Sequence, residues 1–177
     1  MEWIGFYFEF RIEEELQSIM KFQKPIYGNS SFDGLMTVPW DFKAHPTNKS
    51  SKLITNDSEA ISLAIRDYGC TGLILALGVA TYDDEEMSFK IWHDKLKGKI
   101  SEYEKERIKR KAPSRLRKTN FDLKKIAFLE INDNTLVRAG SFQEGFRNSD
   151  GSPRRPKVLL DLAKTPEEEI IDVIEFD

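Results

Sequence analysis

Large apolar residues near the amino terminus alternate along the chain: Ile4, Phe6, Phe8, Phe10 and Ile12 interleave with Trp3, Gly5, Tyr7, Glu9 and Arg11. A period of two predicts a strand with the first set on a buried sheet face. Glu13 to Glu15, followed by Leu16, Ile19, Met20 and Phe22, suit a short helix stopped by Pro25, because carboxylates in a first turn complement the helix dipole. From Tyr27 to Lys52 the chain is rich in Gly, Ser, Asn, Pro and Asp. It reads as an irregular excursion anchored by Trp40 and Phe42, which either hides a short strand near Leu35 to Val38 or is functional.

The clearest helical pattern lies between Asn56 and Gly69, where Ile61, Ala64, Ile65 and Tyr68 share one face. Asn56 and Glu59 are spaced for reciprocal capping, and Gly69 is a natural left-handed terminator. Thr71 to Tyr82 is an apolar run, Asp83 to Glu86 an acidic tip, and Ser88 to Trp92 alternates again, so the three predict an antiparallel hairpin. Asp94 to Lys111 predicts one charged helix with a narrow apolar stripe, ending before Pro113. Leu123 to Ile131 and Thr135 to Phe142, joined by Asn132-Asp133-Asn134, predict a second hairpin. After a loop from Gln143 to Pro156, a strand is expected at Lys157 to Ala163. Thr165-Pro166-Glu167-Glu168 then suits a helix start, although Ile170 to Phe176 reads equally well as an edge strand.

With 177 residues, the mixture predicts a single α+β domain spanning 1–177, a mostly antiparallel sheet of five to six strands with three to four helices packed on it. Charged residues reach 32% and hydrophobic ones 40%, a soluble, folded and charge-rich composition. One cysteine, Cys70, excludes an intramolecular disulfide and a multi-cysteine metal site. A reducing cytoplasm is the compartment expected of such a chain. No run approaches the roughly 20 apolar residues of a membrane span, and the first residues lack the basic region of a secretory signal.

The net charge of −3 conceals a segregation. Lys95 to Lys125 carries thirteen basic and four acidic residues, and Asp161 to Asp177 seven acidic residues against Lys164 alone. A basic block of this density can neutralise a row of phosphates by releasing condensed counterions. The candidate nucleic-acid contacts are Lys105, Arg107, Lys109, Arg110, Lys111, Arg115, Arg117 and Lys118, extended by Arg154 and Arg155 with Arg147 beside them. Tyr103, Phe121 or Phe146 would stack on bases if exposed. The leading expectation is therefore a non-enzymatic binding or regulatory protein that contacts DNA or RNA through its backbone. The main rival is an inhibitor or immunity-type regulator of a basic protein, acting through Asp83 to Glu86 and Glu167 to Asp177.

A third class is a phosphoesterase or nuclease-like enzyme. His45-Pro46-Thr47 matches half of a two-histidine phosphoesterase pattern, but His93-Asp94-Lys95 has Lys95 where a hydroxyl is needed. A metal-dependent nuclease would want an Asp and, on an adjacent strand, a Glu-x-Lys to place a metal and orient water. Neither expected hairpin supplies that arrangement. The acidic tip lacks the spaced oxygen ligands of a calcium loop, so no metal, cofactor or catalytic residue is assigned. Cys70, between a helix and an apolar strand, reads as a packed thiol and not as a nucleophile.

Overall fold

The amino-terminal alternation folds as a helix, α1 (Trp3–Leu16), and not as the expected strand. Its buried residues are Ile4, Phe8 and Ile12, spaced by four, while Phe6 and Phe10 stay exposed. Arg11 joins Glu14 and Glu15 at the i+3 and i+4 positions that a helix brings together. A computed structural model describes residues 3–22, 32–100, 102–114, 116–145 and 153–177. After α1 come three strands, β1 (Lys21–Phe22), β2 (Gly34–Leu35) and β3 (Pro39–Pro46). The supposed irregular excursion thus holds a full strand, in which Trp40, Phe42 and Ala44 alternate with Asp41, Lys43 and His45. The strand β4 (Lys52–Asp57) and the helix α2 (Ser58–Tyr68) follow. Asp57, and not Asn56, takes the cap position of α2, while Gly69 closes it at φ 85° as expected.

The apolar run is β5 (Thr71–Tyr82). The hairpin expected beyond it does not form: Ser88 to Lys97 is a helix, α3, and β5 pairs instead with β6 (Lys118–Ile131). The single charged helix expected from Asp94 is broken at Gly98, φ 65°, giving α4 (Glu102–Lys109) its separate axis. The second expected hairpin also yields to a helix, α5 (Asp133–Ala139), before β7 (Gly140–Gln143). Asn132 accepts from the Thr135 amide while Thr135 Oγ1 accepts from the Asn132 amide, so the residues read as a turn are a reciprocal helix cap. The strands β8 (Lys157–Asp161) and β9 (Ile170–Glu175) complete the chain, β9 fulfilling the edge-strand reading of that segment.

The fold is α+β, with nine strands and five helices among the described residues. Six strands form one sheet in the order β1-β2-β3-β5-β6-β9, and β4-β8-β7 form a second. All pairings are antiparallel except β3 with β5, so the main sheet is mixed. One face of it packs on α1 through Phe8, Ile12, Trp40, Phe42, Ile74 and Ala76. The opposite face buries Leu73, Leu75, Ala127 and Leu129 against Ile61 and Ala64 of α2 and against Leu53, Val158 and Leu160 of the small sheet. Gly72 is required where β5 passes β3, because a Cβ there would sit inside the Trp40 indole. That contact fixes the start of β3, the strand on which the chemistry gathers.

Candidate active site

Asp33, just before β2, and Asp41 and Lys43 of β3 bring carboxylates and an amine together. The β2–β3 ladder pairs Gly34 with Trp40, and one step further along the same register Asp33 stands opposite Asp41. Beyond Asp33 the edge of β3 has no strand partner among the described residues. The Asp33 side chain takes that place, with Oδ2 accepting the Phe42 amide at 2.7 Å. Lys43 Nζ donates to Asp41 Oδ1 at 2.7 Å. Asp41 is only 6% exposed, yet its Oδ2 finds no hydrogen-bond partner among the described residues. A buried carboxylate oxygen without a donor is costly, and a cation or a proton would relieve it.

The electrostatics follow from this crowding. Burial, then the charge and hydrogen bonding of Asp41, push the Asp33 carboxyl up to about 8, against opposing contributions from Lys43 and the Phe42 amide. At neutral pH one proton is thus held where two carboxylates face each other. Burial works against the Lys43 ammonium, but Asp41, Asp33 and then Glu9 outweigh it and shift its pKa upward, so it stays charged. Glu9 reaches the cluster from α1, and burial raises its carboxyl too, opposed by Lys43. Beside the group lies a cleft of about 230 Å³ bordered by Glu9, Phe42, Lys43, Phe121 and Lys118. No three His, Cys, Asp or Glu residues form a ready metal cage among the described residues. A magnesium-like ion needs none, since one or two carboxylates, waters and substrate phosphate oxygens usually complete its shell.

Of the basic residues singled out by sequence, Lys118 is the one that lines the cleft beside this centre among the described residues. Arg117 and Lys118 border a second, aromatic cleft. Arg107 is engaged with Glu104 and with the Ala112 carbonyl. Its guanidinium, helped by Lys90 and opposed by burial, holds Glu104 down at about 2, so α3 and α4 are stapled by an ionic cluster. Lys105, Lys109, Arg110 and Lys111 lie exposed on α4 and the turn after it. Arg155 pairs with Glu59 of α2 at 2.6 Å, and Arg154 is exposed nearby in sequence. Arg115, Phe146 and Arg147, and the side chain of Tyr103, lie outside the described residues.

The other candidates have structural employment. The Asp83 carboxylate is buried and accepts the amides of Asp84, Phe89 and Lys90, while Asp84 accepts that of Ser88. The acidic tip therefore caps α3. Asp83→Ala should lower unfolding stability by about 2 kcal/mol, measured as a lower urea midpoint, with Asp83→Asn less severe; an unchanged midpoint for Asp83→Ala would refute the capping role. His45 Nε2 is bonded to the Ser50 carbonyl and Thr47 to the Gly78 carbonyl, whereas His93 stacks on Phe89 in α3. The Cys70 thiol is pushed up by burial and by Glu130, which holds it protonated. In the acidic tail Glu169 is buried under the amides of Asn132 and Asn134, Glu168 meets Arg138, and Glu175 meets Lys125. Comparison with protein families, with curated proteins and with solved structures gives no match for this chain.

Proposed function

We propose that the protein is a divalent-cation-dependent nucleic-acid hydrolase, with Asp33 and Asp41 as cation ligands, Lys43 as the electrostatic catalyst and Glu9 as an outer carboxylate. The observation that carries this reading is the convergence of Asp33 with Asp41-Phe42-Lys43 at a strand edge that has no strand partner among the described residues, where the buried Asp41 Oδ2 faces the Asp33 carboxyl and meets no N–H donor among the described residues. It is the Asp plus acidic-x-Lys arrangement that metal-assisted phosphodiester hydrolysis asks for, with Asp41 in the acidic position.

A cation held there would polarise a phosphodiester oxygen and lower the pKa of a bound water. The chain's own residues do the rest. Lys43 is fixed by its bond to Asp41, so its charge needs no reorganisation as negative charge builds on the phosphate. Water oxygen bonds to phosphorus, the ester P–O bond breaks, the attacking water's proton leaves to solvent and the departing oxygen takes one from a second water. Lys118 at the rim of the cleft and the exposed Lys105, Lys109, Arg110 and Lys111 of α4 and the turn after it supply sequence-independent attraction for the phosphate backbone.

The test is incubation of end-labelled single- and double-stranded DNA and RNA with the purified chain in Mg²⁺ or Mn²⁺, and in chelator. Cleavage that requires the cation supports the reading. Intact substrates under every condition would overturn it.

A further inference from the structure

The second cleft, of about 420 Å³, is built from three elements. α1 gives Trp3, whose indole Nε1 donates to the Lys118 carbonyl at 3.0 Å and is thereby fixed. α3 gives Phe89, Trp92 and His93, at the i, i+3 and i+4 spacing that gathers side chains on one helix face. Their rings already cluster, with Phe89 and His93 stacked at a centroid distance of 6.0 Å and Trp92 tilted by 39° against Phe89 at 5.4 Å. β6 and the residue before it give Lys118 and Arg117, and the last turn of α3 gives Lys97. No carboxylate borders this cleft among the described residues.

Two features mark it as more than an apolar groove. Arg117 and His93, two residues that border the cleft, each carry a buried polar atom, Nε and Nδ1, without a hydrogen-bond partner among the described residues, an uncommon state for a buried polar group. Burial, with Lys97 and Arg117 close by, also lowers the His93 pKa, which keeps the ring neutral for stacking. Trp3 and Trp92 remain 44% and 55% exposed at its mouth, a large cost in exposed aromatic surface unless something flat covers them.

We infer that this cleft is a base-stacking subsite for single-stranded nucleic acid: an unpaired base lies on the Trp92–Phe89–His93 cluster while Lys97 and Arg117 meet its phosphate. The pairing of aromatic rings with cations, and the absence of carboxylates, fits a nucleotide and opposes a basic or purely apolar partner. The volume is in the range of a small-molecule site. Lys118 borders both this cleft and the one bordered by Glu9 and Lys43, so a strand with one base seated here would carry a neighbouring phosphate toward Lys43. In the substrate it names, the inference rests on the hydrolase reading; a duplex, whose bases hide their faces in the stack, would not enter.

The experiment is a titration in chelator, where no hydrolysis occurs, following tryptophan fluorescence with a short oligothymidylate and with a hairpin duplex. Quenching by the single strand is expected, with about tenfold or more weaker binding in Trp92→Ala, the loss of one stacked base. Arg117→Ala should flatten the salt dependence by about one phosphate contact. Equal affinity for the duplex, or wild-type affinity in Trp92→Ala, would overturn the inference. Should Trp92→Ala lose its cooperative urea transition, Leu96→Asp, an exposed position lining the same cleft, decides in its stead by the same criterion. In the wild-type chain, failure of hydrolysis with quenching intact overturns only the hydrolase, and hydrolysis without quenching overturns only this subsite.

Discussion

Asp41→Asn should abolish cation-dependent hydrolysis, with a fall in kcat on the order of a thousandfold, while the protein still folds and still binds nucleic acid. Two effects add. The amide is a poor cation ligand, and removing the Asp41 charge releases Lys43, whose ammonium is then free to pair with Asp33. Folding survives because the substitution keeps the shape of the side chain and removes the repulsion that crowds two carboxylates onto one strand edge. Lys43→Ala should lower kcat by about a hundredfold or more, the cost of losing one preorganised charge at the reacting centre, with a smaller change in KM. Because ground-state binding lies mainly with the surface cations, a loss seen in KM alone would assign Lys43 to substrate binding. Single-turnover cleavage at saturating Mn²⁺ separates the cases, and Asp41→Asn cleaving at the wild-type rate removes the proposed centre.

How much of this was legible along the chain depends on whether a pattern admitted one reading or two. Ile61, Ala64 and Ile65 fit only a helix, and Gly69 ended it in the left-handed region as expected. Ile4, Phe8 and Ile12 belong at once to a period of two and a spacing of four; the helical choice is made by the packing of Phe8 and Ile12 against Trp40 and Phe42, residues far along the chain. Ser88 to Trp92 presents the same ambiguity, and here the decision is local. Asp83 and Asp84, read as part of the acidic tip of a hairpin, supply the acceptors that start α3.

The centre itself lay in the segment read as irregular. Gly, Asn and Pro around it signalled a loop, yet Trp40, Phe42 and Ala44 alternate with Asp41, Lys43 and His45, a strand pattern short enough to be lost among its breakers. What no local pattern contains is the pairing that makes the site. Asp33 meets Asp41 only because β2 and β3 fold antiparallel in one register, and β3 is held by a parallel neighbour, β5, reached through β4 and α2. The charge poles are likewise a matter of tertiary placement, since Glu175 reaches Lys125 across β9 and β6, so part of the basic block is paired with the acidic tail at the surface.

The affinity for Mn²⁺ should rise steeply with pH and level off near pH 8. Asp33 carries a proton up to about 8, and a cation that uses Asp33 and Asp41 must displace it. Below that value the apparent affinity gains about tenfold per pH unit, so the half-saturating Mn²⁺ concentration at pH 6 should be about a hundredfold above its plateau. This shift belongs to the cation requirement and not to the maximal rate, which distinguishes it from deprotonation of the attacking water. The groups that set it are Asp41 and Lys43 on β3 and, through Lys43, Glu9 on α1. The same proton fixes the sign of a stability effect. The folded-state pKa of Asp33 lies above its unfolded value, so the stabilisation by the protonated form is fully present below about pH 4 and is lost as pH rises to about 8. In chelator the thermal midpoint should therefore fall between pH 6 and pH 8, and saturating Mn²⁺ should reverse that trend by binding only the folded, deprotonated pair. Calorimetry in two buffers of different ionisation enthalpy should count close to one proton released per Mn²⁺ at pH 7. Release of none, with a half-saturating concentration independent of pH, would take Asp33 out of the cation site.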